Sequence, residues 1–134
     1  MTEEDFNSLV KLMEHMRSPE GCAWDREQNL DSFKKHLAEE AEEAVQALEN
    51  KDFENLKEEL GDILWNILFI SQIAKEEGMF DVYDVMRELR EKIIRRHPHV
   101  FGKEKAQTAD EVMVHYRKAK EAEKSGKFNK RGGD

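Results

Sequence analysis

Between residues 53 and 77 the chain places Leu56, Leu60, Ile63, Leu64, Ile67, Leu68 and Ala74 three or four residues apart. Trp65, Phe69, Ile70 and Ile73 widen that stripe around the helix it implies. A helix so apolar has to be covered on more than one side, so it is the core element of whatever forms here. Asp52 is placed to cap its start and Gly78 to end it.

The rest of the chain reads as helices arranged around that element. Phe6, Leu9, Val10, Met13 and Met16 mark a first helix over about residues 3–17, which stops before Ser18-Pro19-Glu20-Gly21. From there to Gln28 the periodicity lapses and a loop is expected, although its Trp24 must either pack or bind something. A second helix, capped by Asp31 or Ser32, carries Phe33, Leu37, Ala41, Ala44, Val45 and Leu48 and ends near Asn50. After the core helix, Val82, Val85, Met86, Leu89 and Ile93 define another that must finish near His97, because Pro98 disfavours helical geometry in the residue before it. The last helix opens on a capping box, Thr108-Ala109-Asp110-Glu111. No segment reads as a strand, so the fold class is all-α: one helical domain over 1–124 and an aperiodic, disordered tail over 125–134.

The chemistry lies in two clusters of carboxylates, EEAEE at 39–43 and EELGD at 58–62. Helical spacing lets Glu39, Glu40 and Glu43 share one region and Glu59 and Asp62 another. The short connection at Asn50-Lys51-Asp52 makes the two helices antiparallel neighbours, with the clusters at matched distances from the turn. So many facing carboxylates resist ionisation unless a divalent cation lies between them. An all-oxygen site suits magnesium, and magnesium suits phosphate chemistry. A solvated acidic face is the plainer account of any single Glu pair. Two matched clusters argue against it, as does Gly61, which interrupts a strong helix at a cost of about 1 kcal/mol and suggests close approach of a helix or ligand beside Asp62.

Charge excludes several partner classes. With 22 Lys+Arg against 30 Asp+Glu the net charge is −8, unsuited as a whole to nucleic-acid backbone or an anionic bilayer. One cysteine, Cys22, permits no intramolecular disulfide. The acidic start MTEEDF lacks an apolar leader and no run is long enough to span a membrane, so a soluble cytoplasmic protein is expected.

Four segments in order, RSPEGCAWD (17–25), EEAEEA (39–44), EELGDILW (58–65) and KIIRRHPHVFG (92–102), resemble the MazG family of nucleoside triphosphate pyrophosphohydrolases over roughly residues 5–124. The resemblance implies an all-α bundle whose four-helix core is completed by dimerisation. It also implies Mg²⁺-dependent hydrolysis, with Mn²⁺ able to substitute, of a nucleoside triphosphate to the monophosphate and pyrophosphate. By the family's EExxE and ExxD pattern the metal ligands are Glu40, Glu43, Glu59 and Asp62, and Glu39 and Glu40 are the catalytic carboxylates that orient or deprotonate water.

Lys92, Arg95 and Arg96 sit at a helix C-terminus, where basic residues can simply complement the dipole. The resemblance makes them contacts to the triphosphate. It likewise draws Trp24 towards a substrate-binding role, and Tyr116, which stands where the family commonly has Trp, with it. Ala23 in place of Pro, and Asn29-Leu30 in place of Thr-His, leave base preference and loop geometry open. His97 and His99, flanking a proline, are assigned no ligand role. A narrower pyrophosphohydrolase, acting on phosphoribosyl-ATP or one deoxynucleotide, is the alternative within the class. Outside it stands a non-catalytic acidic helical adaptor, whereas a di-iron bundle would need Glu-x-x-His pairs that the chain lacks. A dimer or higher homo-oligomer is expected on a second ground, the over-wide apolar surface of residues 60–74.

Overall fold

The computed structural model describes residues 3–126; most of the expected tail, residues 127–134, lies outside the described residues. Among the described residues there are seven helices and no strand, in the order α1 (Glu3–Met16), α2 (Ala23–Glu27), α3 (Phe33–Glu49), α4 (Phe53–Glu76), α5 (Val82–Arg95), α6 (Pro98–Phe101) and α7 (Ala109–Lys124). The all-α expectation holds. The chain divides into two compact units, Met1–Val85 and Met86–Asp134. No helix among the described residues is long and apolar enough to cross a membrane.

In the first unit α4 packs along α3 and against α1. Met13, Phe33, Leu68, Phe69, Ile73 and Val82 form the buried cluster, with Phe6, Leu9, Val10, Leu30, Trp65 and Ile70 packed against it. Phe33 of α3 stacks on Phe69 of α4 with ring centroids 4.0 Å apart. The α3–α4 turn follows from local chemistry. Lys51 takes the left-handed conformation at φ 54°, and the Asp52 amide donates back to the Ala47 carbonyl, closing α3 as a Schellman motif. The Asp52 carboxylate then accepts from the Asn55 amide and starts α4.

Three local expectations are corrected. The segment after Gly21 is not all loop: residues 23–27 form α2. Arg17 explains this, since its guanidinium donates to the carbonyls of Asp25 and, at 3.1 Å, Gln28, while Nη2 reaches Glu76 Oε1 at 2.6 Å. Five residues become helical because a buried cation just past the end of α1 satisfies their carbonyl end. Gly21 is also required, as a side chain there would collide with the carbonyls of His15 and Met16. Ser32 is the N-cap residue of α3 but makes no capping bond, its hydroxyl serving Asn29 and Gln28 instead. Gly61 faces open space, so no helix approaches it closely. As expected, α5 finishes near His97, at Arg95, and Pro98 then opens the short α6.

The second unit is organised by one carboxylate. Glu123 of α7 is 7% exposed and receives Arg96 Nη2 at 2.7 Å and Arg95 Nε at 3.0 Å. The Thr108 hydroxyl caps α7 through the Glu111 amide, as its sequence implies. The Arg96 hydrogen bond, followed by that of Arg95, holds the Glu123 carboxyl down at about 2. A depressed carboxyl contributes stability that is full above its ordinary value and lost as pH falls through the folded one. Stability should therefore drop as pH is lowered from about 4.5 towards 2. Glu123→Gln should flatten that slope and cost about 3 kcal/mol at neutral pH, read by urea unfolding, because it strands two guanidiniums.

Candidate functional site

Helical spacing on α3 and α4, together with the Lys51 turn, sets the carboxylates against one another. Oxygens of Glu40, Glu43 and Glu59 all lie within 4.8 Å of one another. Glu59 is 8% exposed, Glu40 is half-buried and Glu43 is exposed. Glu40 Oε2 and Glu59 Oε2 are buried without a hydrogen-bond partner. Such atoms are expensive to leave unsatisfied, and a cation is what would satisfy them together.

Protonation follows the same crowding. The Glu59 carboxyl is pushed up to about 7, first by its hydrogen bond with Glu43, then by burial and by the charges of Glu43, Asp62 and Glu40. Burial, then the charges of Asp62 and Glu43, raises Glu40 as well. Asp62 is outside the tight trio but acts on both members electrostatically. Three hard oxygen donors at this separation fit a Mg²⁺ or Mn²⁺ ion, which favours carboxylate and water ligands.

The other residues singled out from the sequence are distributed as follows. Glu39 is exposed and pairs with Lys35, Oε1 to Nζ 3.8 Å, and is not one of the clustered trio. Trp24 is 50% exposed and meets His36 of α3 edge to face, at 5.5 Å and 79°. In the second unit, Arg96 Nη1 donates to the Tyr116 hydroxyl at 3.1 Å and its guanidinium lies over the Tyr116 ring at 5.2 Å, with Lys120 at 5.4 Å from the same ring. Arg95 and Arg96 are thus brought together by Glu123, and Arg96 by Tyr116; Lys92 is half-buried one turn earlier on α5.

Sequence reasoning missed Glu123 as the organiser of the basic segment. Its seven-residue spacing from Tyr116, which puts both on one helix face, is the signal that could have found it.

Comparison with known proteins agrees with this geometry. Residues 28–101 match the MazG nucleotide pyrophosphohydrolase domain. The chain is 54% identical over 97 residues to the nucleoside triphosphate pyrophosphohydrolase/pyrophosphatase MazG of Thermotoga maritima, covering 72% of this chain and 38% of that protein. It is 38% identical over 123 residues to the nucleoside triphosphate pyrophosphohydrolase of Escherichia coli K12, covering 91% and 47% respectively. The chain therefore spans less than half the length of these curated relatives. A crystal structure of a MazG-related protein from Thermotoga maritima superposes with a TM-score of 0.72 at 28% identity, covering 86% of this chain and 98% of that one. With the domain match extending over more than half of its residues, the chain belongs to the MazG nucleotide pyrophosphohydrolase domain family.

Proposed function

We propose that this protein hydrolyses nucleoside triphosphates between the α and β phosphates, with a divalent cation held by Glu40, Glu43, Glu59 and Asp62. The observation that carries this reading is the carboxylate trio with its two buried, unpartnered oxygens. Relatives named as nucleoside triphosphate pyrophosphohydrolases support it. Bound there, Mg²⁺ or Mn²⁺ would neutralise phosphate charge and polarise the phosphoanhydride.

The chain's own groups do the rest. Glu40, whose Oε2 lacks a protein partner, is the carboxylate suited to take the proton of an attacking water. Glu39, exposed and Lys35-paired, is left as an auxiliary. Lys92, Arg95 and Arg96 supply positive charge for the leaving pyrophosphate. Their own stretch of chain is suited to it, since residues 86–134 carry 14 Lys+Arg against 8 Asp+Glu. Glu123 holds two of the three in place.

A homodimer belongs to the same reading. Leu60, Leu64 and Ile67 of α4 and Leu37 and Leu48 of α3 remain exposed, with Leu48 at 57% and Leu60 at 53%. An apolar face of this kind on the two central helices suits a second copy of the chain. Sedimentation equilibrium at micromolar concentration should give at least twice the 15.8 kDa chain mass. Leu60→Glu with Leu64→Glu should shift it to monomer, and a monomeric wild type that still turns over would remove the dimer from the proposal.

Glu40→Gln, Glu43→Gln, Glu59→Gln and Asp62→Asn should each lower turnover by about a hundredfold or more while leaving circular dichroism helical. Full activity in two of the four would remove the metal site. Without metal, a carboxyl raised as Glu59 is contributes stability that is present below its ordinary value and lost as pH climbs through the folded one. Metal-free melting temperature should accordingly fall between about pH 4.5 and 7, and Glu59→Gln should abolish that fall. Added Mg²⁺ should restore most at pH 7, where the carboxylates are charged.

The bond cleaved separates this chemistry from that of a phosphatase. Products should be nucleoside monophosphate and pyrophosphate, and in ¹⁸O water the label should appear on the monophosphate. Orthophosphate with a nucleoside diphosphate, in pyrophosphatase-free enzyme, would mean that the phosphate-binding charges are assigned wrongly.

A further inference from the structure

Two stripes run along α7. Tyr116, Lys120 and Glu123 make one, and Arg96 lies against it, bonded to Glu123 and stacked over the Tyr116 ring. His115, Lys118, Ala119 and Ala122 make the other, about 100° further round the helix. This second stripe is one wall of a pocket of about 270 Å³, completed by Arg95 of α5, Pro98 of α6 and Glu104 of the connection after it. Every one of these residues belongs to the second unit. Consecutive arginines thus go to different places, Arg96 to the Tyr116 stripe and Arg95 to the pocket.

Local bonds hold the walls. His115 Nε2 donates to the Lys105 carbonyl at 3.1 Å, which ties the connection to α7, and its ring stacks on His99 of α6 at 5.7 Å and 16°. Arg95 Nε donates to Glu123 Oε2 at 3.0 Å, so that guanidinium is anchored at one edge. The space itself comes from Ala119 and Ala122, whose single methyl groups leave room that longer side chains would fill. Lys118 and Glu104 also line the pocket; both are exposed, and neither side chain has a partner among the described residues. A cation and a carboxylate that line one pocket without pairing are both available to a ligand.

We propose that this pocket binds a ribonucleoside monophosphate, with the phosphate on Arg95 and Lys118, the sugar hydroxyls donating to Glu104, and the base against Pro98, Ala119 and Ala122. An apolar floor with a few convergent polar groups is the usual make-up of a small-molecule site. Two cations beside one carboxylate suit a single phosphate carried on a body with hydroxyl donors. Three phosphates would overload them, and the volume, just under the range of about 300–1,000 Å³ usual for drug-sized ligands, is small for a triphosphate. A nucleoside monophosphate is also the product expected of the reaction proposed above, but its binding here requires neither metal nor turnover.

The test is titration calorimetry of the full chain in EDTA with adenosine monophosphate, adenosine and inorganic phosphate. The monophosphate should bind wild type at one site per chain, about tenfold or more tighter than either fragment. Lys118→Met, which keeps the stem and removes the charge, should weaken it about tenfold, and Glu104→Ala should do the same. Ala119→Leu should abolish binding by filling the pocket; Lys118→Met, at an exposed position, keeps the test decisive should that variant fold poorly. Lys120→Ala, on the Tyr116 stripe, should change affinity by less than about twofold. Binding that survives Lys118→Met, that ignores Glu104→Ala or that Lys120→Ala removes would overturn the site, as would phosphate binding as tightly as the nucleotide or no binding at all. None of these outcomes involves catalysis, so the site can fail with the pyrophosphohydrolase reading intact, and a chain without turnover can still show it.

Discussion

A left-handed residue at Lys51 and a carboxylate cap at Asp52 fix the register of α3 against α4, and that register decides which side chains meet. A shift by one turn would part Glu43 from Glu59 and Phe33 from Phe69 together. The same ladder carries the most favourable contact of the first unit, the stacked phenylalanines, and its least favourable, the crowded glutamates. Aromatic packing and burial of the cluster around Met13, Leu68 and Ile73 hold the helices at a separation that the carboxylates alone would resist. Local frustration of this kind persists when the surrounding structure over-determines the geometry.

Much of this was legible beforehand. Carboxylates at three- and four-residue spacing, with the turn between them, are enough to place Glu40, Glu43 and Glu59 at one height, because helical rise is nearly invariant. Caps at Asp52 and Thr108 are local chemistry and were readable for the same reason. What could not be read depends on partners far away in sequence. α2 needs Arg17 from the end of α1's segment, just past Met16, and the Arg95–Arg96 pair needs Glu123 from α7 at distances of 28 and 27 residues. Gly61 is a related case: a glycine's cost is visible in sequence, but whether another helix approaches it is a tertiary fact, and none among the described residues does.

Arg17 shows how one buried cation links fold to site. Its guanidinium lies over the Phe69 ring at 5.5 Å and also pairs with Glu76 and the α2 carbonyls. Phe69 in turn supports Phe33, and Phe33 supports His36. The orientation of the exposed Trp24–His36 corner is thus inherited from core packing.

Charge is divided along the chain as sharply as structure is. Residues 1–85 carry 22 Asp+Glu against 8 Lys+Arg, while residues 86–134 carry 14 Lys+Arg against 8 Asp+Glu. A net charge of −8 conceals this, and each stretch has its own electrostatic character. Lys and Arg beside the crowded carboxylates would compete with a divalent cation for the same oxygens. Within the second stretch, Glu123 gathers the guanidiniums of Arg95 and Arg96 on one carboxylate.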